Sequence, residues 1–204
     1  DSDRSPARAS DSLTTEEPRP RPRRRGERIA AVSSLELRGQ RVRLRPVVES
    51  DRERLVAIRR TEAVRARRRG VDLDAEFDEN LLDLEVVRLA ICCDVDVVGL
   101  IQFAEETDPE YRSASIDVYV DPAHHRRGYA SDAIRTLVDH LFDQLGHHRL
   151  TIDPAADNTA AIACYTTVGF RPVGVMRQHE RQADGAWADA LLMDMLPSDR
   201  SPGR

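Results

Sequence analysis

Lysine is missing from this chain, and all 31 of its basic residues are arginine. We read that bias as genomic base composition, with no chemistry attached. Cysteine is scarce, at positions 92, 93 and 164 only. An odd set whose first two members are adjacent makes no disulfide framework, so a cytoplasmic protein is expected. No CxxC pair and no spaced His/Cys pairing is present, which argues against zinc, and no metal is expected. No uncharged apolar run approaches the roughly 18 residues of a membrane span. The opening Asp1-Ser2-Asp3-Arg4 lacks the apolar core of a secretory signal. Because Asp1 is not a Met, the native start stays open.

What is present divides into an arm and a body. The 204 residues suit one domain, or at most two small ones. Residues 1–34 hold Pro6, Pro18, Pro20 and Pro22 and the run Arg19–Arg25, with almost nothing apolar to offset ordering, so a disordered arm is expected. Its arginines suit phosphate contacts with a nucleic acid or another anionic partner. It has no aromatic residue for base stacking, so a solvated leader is preferred. The remaining residues carry 23 basic and 30 acidic side chains, a net charge of −7. That balance argues against general nucleic-acid binding and fits a cationic or amine-bearing substrate. Residues 35–197 are assigned to the domain and 198–204 to a flexible tail.

Within the body, strand and helix patterns alternate. Leu35 to Leu44 has a strand period, with Arg41, Arg43 and Arg45 on one face and Val42 and Leu44 on the other. Ser50-Asp51-Arg52-Glu53 reads as a capping box opening a helix from Asp51 to about Arg60. A second helix is expected over Glu76–Leu84. Val87–Cys93 and Val97–Ala104 read as a hairpin across Asp94-Val95-Asp96. Ser115–Val120 is a further strand. Apolar residues from Ala130 to Leu145 recur at helical spacing until Gly146. A short strand at Arg149–Asp153, a helix at Thr159–Thr167 and a closing hairpin of Arg171–Gln178 and Ala188–Leu196 complete a mixed α/β chain around one sheet.

Chemistry concentrates in two segments. In the first, strand Ser115–Val120 passes through Asp121-Pro122-Ala123-His124-His125-Arg126-Arg127-Gly128-Tyr129 directly into the helix. A helix start offers unpaired N–H groups and the positive dipole end, which suits a phosphate. Gly128 allows close backbone approach, small Ala130 keeps the first turn open, and Arg126 and Arg127 add charge. An ordinary strand-to-helix connection is the bland alternative. The second segment is Asn158-Thr159-Ala160-Ala161-Ile162-Ala163-Cys164-Tyr165-Thr166-Thr167-Val168-Gly169-Phe170.

Together the two resemble the acetyl-CoA signature of the GNAT superfamily. The loop is similar to Arg/Gln-x-x-Gly-x-Gly/Ala, with His125 at the usual Arg or Gln position, and the second segment to Asn-x-x-Ala-x-x-x-Tyr-x-x-x-Gly-Phe. The resemblance covers roughly Leu37 to Leu196. It implies a GNAT fold, a mixed twisted sheet of about six to seven strands flanked by about four helices. It implies that the amides of Arg126, Arg127, Gly128, Tyr129 and Ala130 hold the CoA pyrophosphate, with His125 weakening that contact. Val118 and Val120 would pair with the pantetheine arm, one amide there polarising the thioester carbonyl. Asn158 would contact the pantetheine, and Tyr165 would protonate the leaving thiolate. A packed helix aromatic is the other reading of Tyr165.

The acceptor amine is read from acids. Glu105-Glu106-Thr107-Asp108-Pro109, the acid in Ile116-Asp117 and Thr151-Ile152-Asp153-Pro154 resemble the substrate loop and catalytic strand of aminoglycoside 6′-N-acetyltransferases. The resemblance makes Asp117 the base or amine anchor, and Glu105, Glu106, Asp108 and Asp153 anchors for further ammonium groups. A solvated acidic loop is the alternative for the first three. Arg65-Ala66-Arg67-Arg68-Arg69-Gly70 departs from that family's aromatic cluster. The C-terminal half also resembles acetyltransferases of the RimJ/RimL type, which modify the α-amino group of ribosomal proteins. The expected function is acetyl transfer from acetyl-CoA to a primary amine, on an aminoglycoside-like polycation or on a protein N-terminus. An acyl-CoA sensor without turnover is the non-enzyme alternative. Monomer and homodimer stay open. His124, His140, His147, His148 and His179 show no metal spacing and are read as surface or capping residues.

Overall fold

The computed structural model describes residues 34–65, 85–182 and 185–200. The arm before Ser34, the helix expected over Glu76–Leu84 and residues 66–70 of the basic stretch lie outside the described residues. Eight strands form one sheet in the order β1-β2-β3-β4-β5-β6-β8-β7. They are β1 (Leu37–Arg38), β2 (Arg43–Pro46), β3 (Val86–Cys93), β4 (Asp96–Glu106), β5 (Ser113–Val120), β6 (Arg149–Ile152), β7 (Arg171–Arg181) and β8 (Trp187–Met195). Among the described residues four α-helices accompany them, α1 (Arg52–Arg60), α2 (Glu62–Arg65), α3 (Tyr129–Asp139) and α4 (Thr159–Val168). The fold is thus the mixed α/β arrangement expected, with one strand more than the upper estimate.

The extra strand comes from Leu35–Leu44, which folds as a hairpin rather than as one strand. Gly39 N–H donates to Val42 O at 2.8 Å, reversing the chain between β1 and β2. A Cβ at Gly39 would sit 2.4 Å from Asp132 Oδ2, so the turn is pressed onto α3. The Asp132 carboxylate accepts the amides of Gln40, Arg41 and Val42 at 3.1, 2.7 and 3.0 Å. A partner about ninety residues away fixes the turn, so strand periodicity could not locate it.

The core follows from alternation on each strand. Ala114, Ile116 and Val120 of β5 join Ile134, Leu137, Leu141, Tyr165 and Phe170 beneath α3 and α4. On the opposite face Tyr119, Leu100, Cys92 and Ala90 pack with Leu55 and Ile58 of α1. Helix α3 runs on into a π-helical turn at His140–Gln144, closed by Gly146 at φ +68°. After β8, Pro197–Asp199 form a 3₁₀ turn, and Arg171 pairs with Asp199 at 2.6 Å.

Strands β5 and β6 are the sheet's parallel pair, and they part early. Only Ser113–Ser115 and Arg149–Thr151 are matched. Beyond them β5 stays laddered to β4 as far as Val120, while β6 stays laddered to β8 at Ile152. A fork therefore opens in mid-sheet, with α3 starting just beyond the upper end of β5.

Candidate active site

The loop from β5 to α3 is built to expose backbone. Gly128 caps the helix at φ +79°, in the left-handed region, and no side chain bonds the first turn there. Arg126 also has positive φ, at 60°. Both turn the chain tightly, and the helix start keeps its N–H groups for an anion. Arg126, Arg127 and Gly128 are exposed. Sequence reasoning missed the support beneath them. Arg41 packs under Gly128 and its Nη1 donates to Arg127 O at 3.3 Å. Arg54 of α1 bonds Val97 O at 2.9 Å and pairs with Asp121, which accepts Ala123 N–H at 2.9 Å. Burial pushes the Asp121 carboxyl up, but the Ala123 amide and Arg54 outweigh it and hold it below the usual range. Neither arginine carried a sequence signal, since each is one of 31.

His125 stands apart from the anion-binding role implied for its position. Its Nε2–H donates to Val120 O at 2.9 Å, bracing the loop against the end of β5. The Val120 carbonyl thus already accepts one hydrogen bond, from the His125 ring. Tyr129 Oη lies 3.1 Å from Cys93 Sγ, tying the first turn of α3 to β3. Asn158 caps α4, its Oδ1 accepting Ala161 N–H at 3.2 Å, which leaves its NH₂ as the donor. Tyr165 is 8% exposed among core residues, with its ring 6.4 Å from that of Phe170. Ala130 is half-buried, and Ser131 beside it bonds Cys164 across α3 and α4 at 3.2 Å.

At the crotch of the fork two acids meet. Asp117 and Asp153 each lie two residues beyond the last matched pair, Ser115 and Thr151, and are near enough that the charge of Asp117 acts on Asp153. Gln102 Nε2 donates to Asp117 Oδ2 at 3.1 Å. Asp117 Oδ1 accepts Val118 N–H at 2.9 Å, so a thioester carbonyl at that amide would displace the carboxylate. Asp153 Oδ2 accepts from His179 Nε2 at 3.0 Å. Its side chain is 42% exposed, yet protein atoms crowd the carboxylate. That lost hydration raises its pKa, His179 opposes the rise, and the charge of Asp117 adds to it.

The remaining expected anchors do not reach this point. Glu105 and Glu106 pair with Ala114 and Ser113, at the lower end of β5 where the fork is closed. Four rungs separate Glu106 from Gln102, opposite Asp117, a rise of roughly 13 Å. Glu105 is bonded to buried His147 at 3.0 Å. Glu106 accepts Asp108 N–H at 2.9 Å and Asp108 accepts Glu110 N–H at 2.9 Å, so both shape the turn into β5. The acidic window thus sits at the closed end of the fork, bonded to His147 and into the turn before β5, and composition alone does not say at which end a strand opens. Among the described residues no three His, Cys, Asp or Glu side chains gather as a metal site.

Known proteins share this layout. Spermidine N(1)-acetyltransferase of Escherichia coli K12 is 25% identical over 139 residues, 66% of this chain and 74% of that protein. The [ribosomal protein bS18]-alanine N-acetyltransferase of the same strain is 35% identical over 80 residues, 38% of this chain and 51% of that one. Mycobacterium smegmatis RimJ, solved with CoA-disulfide, superposes with a TM-score of 0.69 at 25% identity, covering 80% of this chain and 87% of its own. Residues 41–171, which run from β2 through the fork, the glycine loop and α4, match the acetyltransferase (GNAT) domain, and the chain belongs to that family.

Proposed function

We propose that this GNAT N-acetyltransferase takes as its acceptor a primary amine on a small polycation, the class that includes both polyamines and the aminoglycosides expected from the sequence. The convergence of Asp117 and Asp153 at the crotch of the fork carries this reading. A carboxylate whose proton affinity is raised partly by the charge of a second one nearby forms, with that neighbour, a receptor for an ammonium group. The spermidine acetyltransferase relative supports a small polyamine. A protein α-amino group is the second reading, favoured by the likeness to RimJ over 80% of the chain.

The chemistry assigns one task to each part. The pyrophosphate of acetyl-CoA sits on the amides of Arg126 to Ala130, with Arg126 and Arg127 adding charge. The pantetheine follows the open edge of β5 past Val118 and Val120, with Asn158 as a donor. Asp117 takes a proton from the ammonium, and the freed nitrogen attacks the thioester carbon. Val118 N–H stabilises the carbonyl oxygen as it gains charge. The C–S bond breaks, Tyr165 protonates the departing sulfur, and the second proton shed by the nitrogen as the amide forms returns the phenolate to its neutral form. Thiol release from acetyl-CoA with spermidine, a kanamycin-type drug and a ribosomal N-terminal peptide tests the assignment. Saturable release with spermidine or the drug, cut about 100-fold in Asp117→Asn, supports a polycation acceptor. Release with the peptide alone transfers the function to protein acetylation.

A further inference from the structure

We propose that His179 is a positioning residue for the amine site, its Nε2–H holding the Asp153 carboxylate ionised and turned to share an ammonium group with Asp117. The proposal rests on the amine reading above. His179 lies on β7, the edge strand, where the ladder to β8 breaks. Met176 is matched with Ala190 and Glu180 with Ala188. Three residues of β7 therefore face the single residue Asp189 of β8. Such a bulge re-aims a side chain. Its geometry is fixed from both sides. Gln178 adopts φ +50°, and its N–H donates to Asp189 Oδ1 at 2.8 Å. A non-glycine residue in the left-handed region costs about 1 kcal/mol, and here it carries the imidazole to 3.0 Å from Asp153 Oδ2. Ala155 bridges to Ala190 and Ala156 N–H donates to Asp189 O at 2.9 Å, so the segment after Asp153 is seated on the same stretch of β8.

Electrostatics gives the contact its purpose. Among the described residues, the charged groups acting most on Asp153 are His179 from β7 and Asp117 from β5, while Asp189 of β8 is engaged with the Gln178 amide. Asp117 and the lost hydration both favour protonated Asp153, which would accept an ammonium poorly. His179 acts against both, by hydrogen bond and, when protonated, by charge. One oxygen of Asp153 is thereby committed to the imidazole.

The test compares His179→Ala with His179→Gln, whose amide keeps an N–H donor close to the Nε2 position. His179→Ala is expected to raise KM for spermidine between about threefold and about tenfold, the loss of one partly screened hydrogen bond to a charged group. KM for acetyl-CoA should not move, and the melting temperature at pH 7 should fall only slightly, because the folded pKa of Asp153 rises further without His179. His179→Gln should restore most of the spermidine KM. Independently of turnover, the ¹³C-carboxyl titration of Asp153, assigned against Asp153→Asn, should shift to higher pH in His179→Ala. An unmoved titration, or a raised KM that His179→Gln fails to restore, overturns the role. If the wild-type chain acetylates no amine, the amine reading falls, while the titration still decides whether His179 sets the ionisation of Asp153.

Discussion

Asp51 and Asp153 carry the same side chain and titrate in opposite directions. Burial pushes Asp51 up, but the bidentate Arg45 bond, at 2.7 Å to each oxygen, and the Val48 amide at 3.0 Å outweigh it, so its pKa is lowered. A lowered carboxylate pKa stabilises the fold above the ordinary value, and that contribution is lost as pH falls through the folded one. Asp51→Asn should therefore cost about 2 kcal/mol in neutral urea unfolding, because it leaves a largely buried Arg45 unpaired. The gap should close in acid. Asp153 is raised, so its favourable contribution exists below the unfolded pKa and disappears as pH rises through the folded one. Asp153→Asn should thus melt slightly higher than wild type at pH 7, lose that advantage in acid, and lose amine turnover at both. Asp117 was legible in the sequence because an acid inside a β-run is out of place without a task. His179 was not, since only the register of β7 on β8 turns a residue of an exposed strand toward Asp153.

The strand–loop–helix element around Gly128 was equally legible, because glycine, flanking arginines and the start of an apolar helical period fall together in one short stretch of chain. Its foundations were not. The loop rests on Arg41, Arg41 follows the β1–β2 turn, and that turn hangs from Asp132 by three amide bonds. Two substitutions separate the loop from its foundation. Gly128→Ala has room, with Arg41 at ordinary contact distance of 3.6 Å, but must hold φ +79°. It should cost about 1 kcal/mol and raise KM for acetyl-CoA in steady-state assays. Asp132→Ala removes the acceptor of three amides and should cost about 3 kcal/mol in urea unfolding. It should also raise KM for acetyl-CoA although Asp132 is not placed to touch it. If stability falls and that KM stays constant, Arg41 does not support the loop.

Across the whole molecule, charge and sheet order set the limits. The residues after the arm carry a net −7, a field that draws in polycations and weakens with salt. KM for spermidine should therefore climb with ionic strength, and more steeply than KM for a monoamine acceptor assayed alongside it. Strand β8 lies between β6 and β7, although it follows both in the chain. Synthesis on the ribosome is vectorial, so β6 and β7 emerge with an interior gap between them that only the segment Trp187–Met195 fills. Until it does, each has an open edge facing a crowded cell, the arrangement most exposed to wrong pairing. The same insertion couples β6, which carries the base of the fork, to completion of the chain. A nascent or prematurely terminated copy ending before β8 would have its glycine loop translated in full and no β8 to hold β6 beside it, and such a copy is expected to show no thiol release from acetyl-CoA.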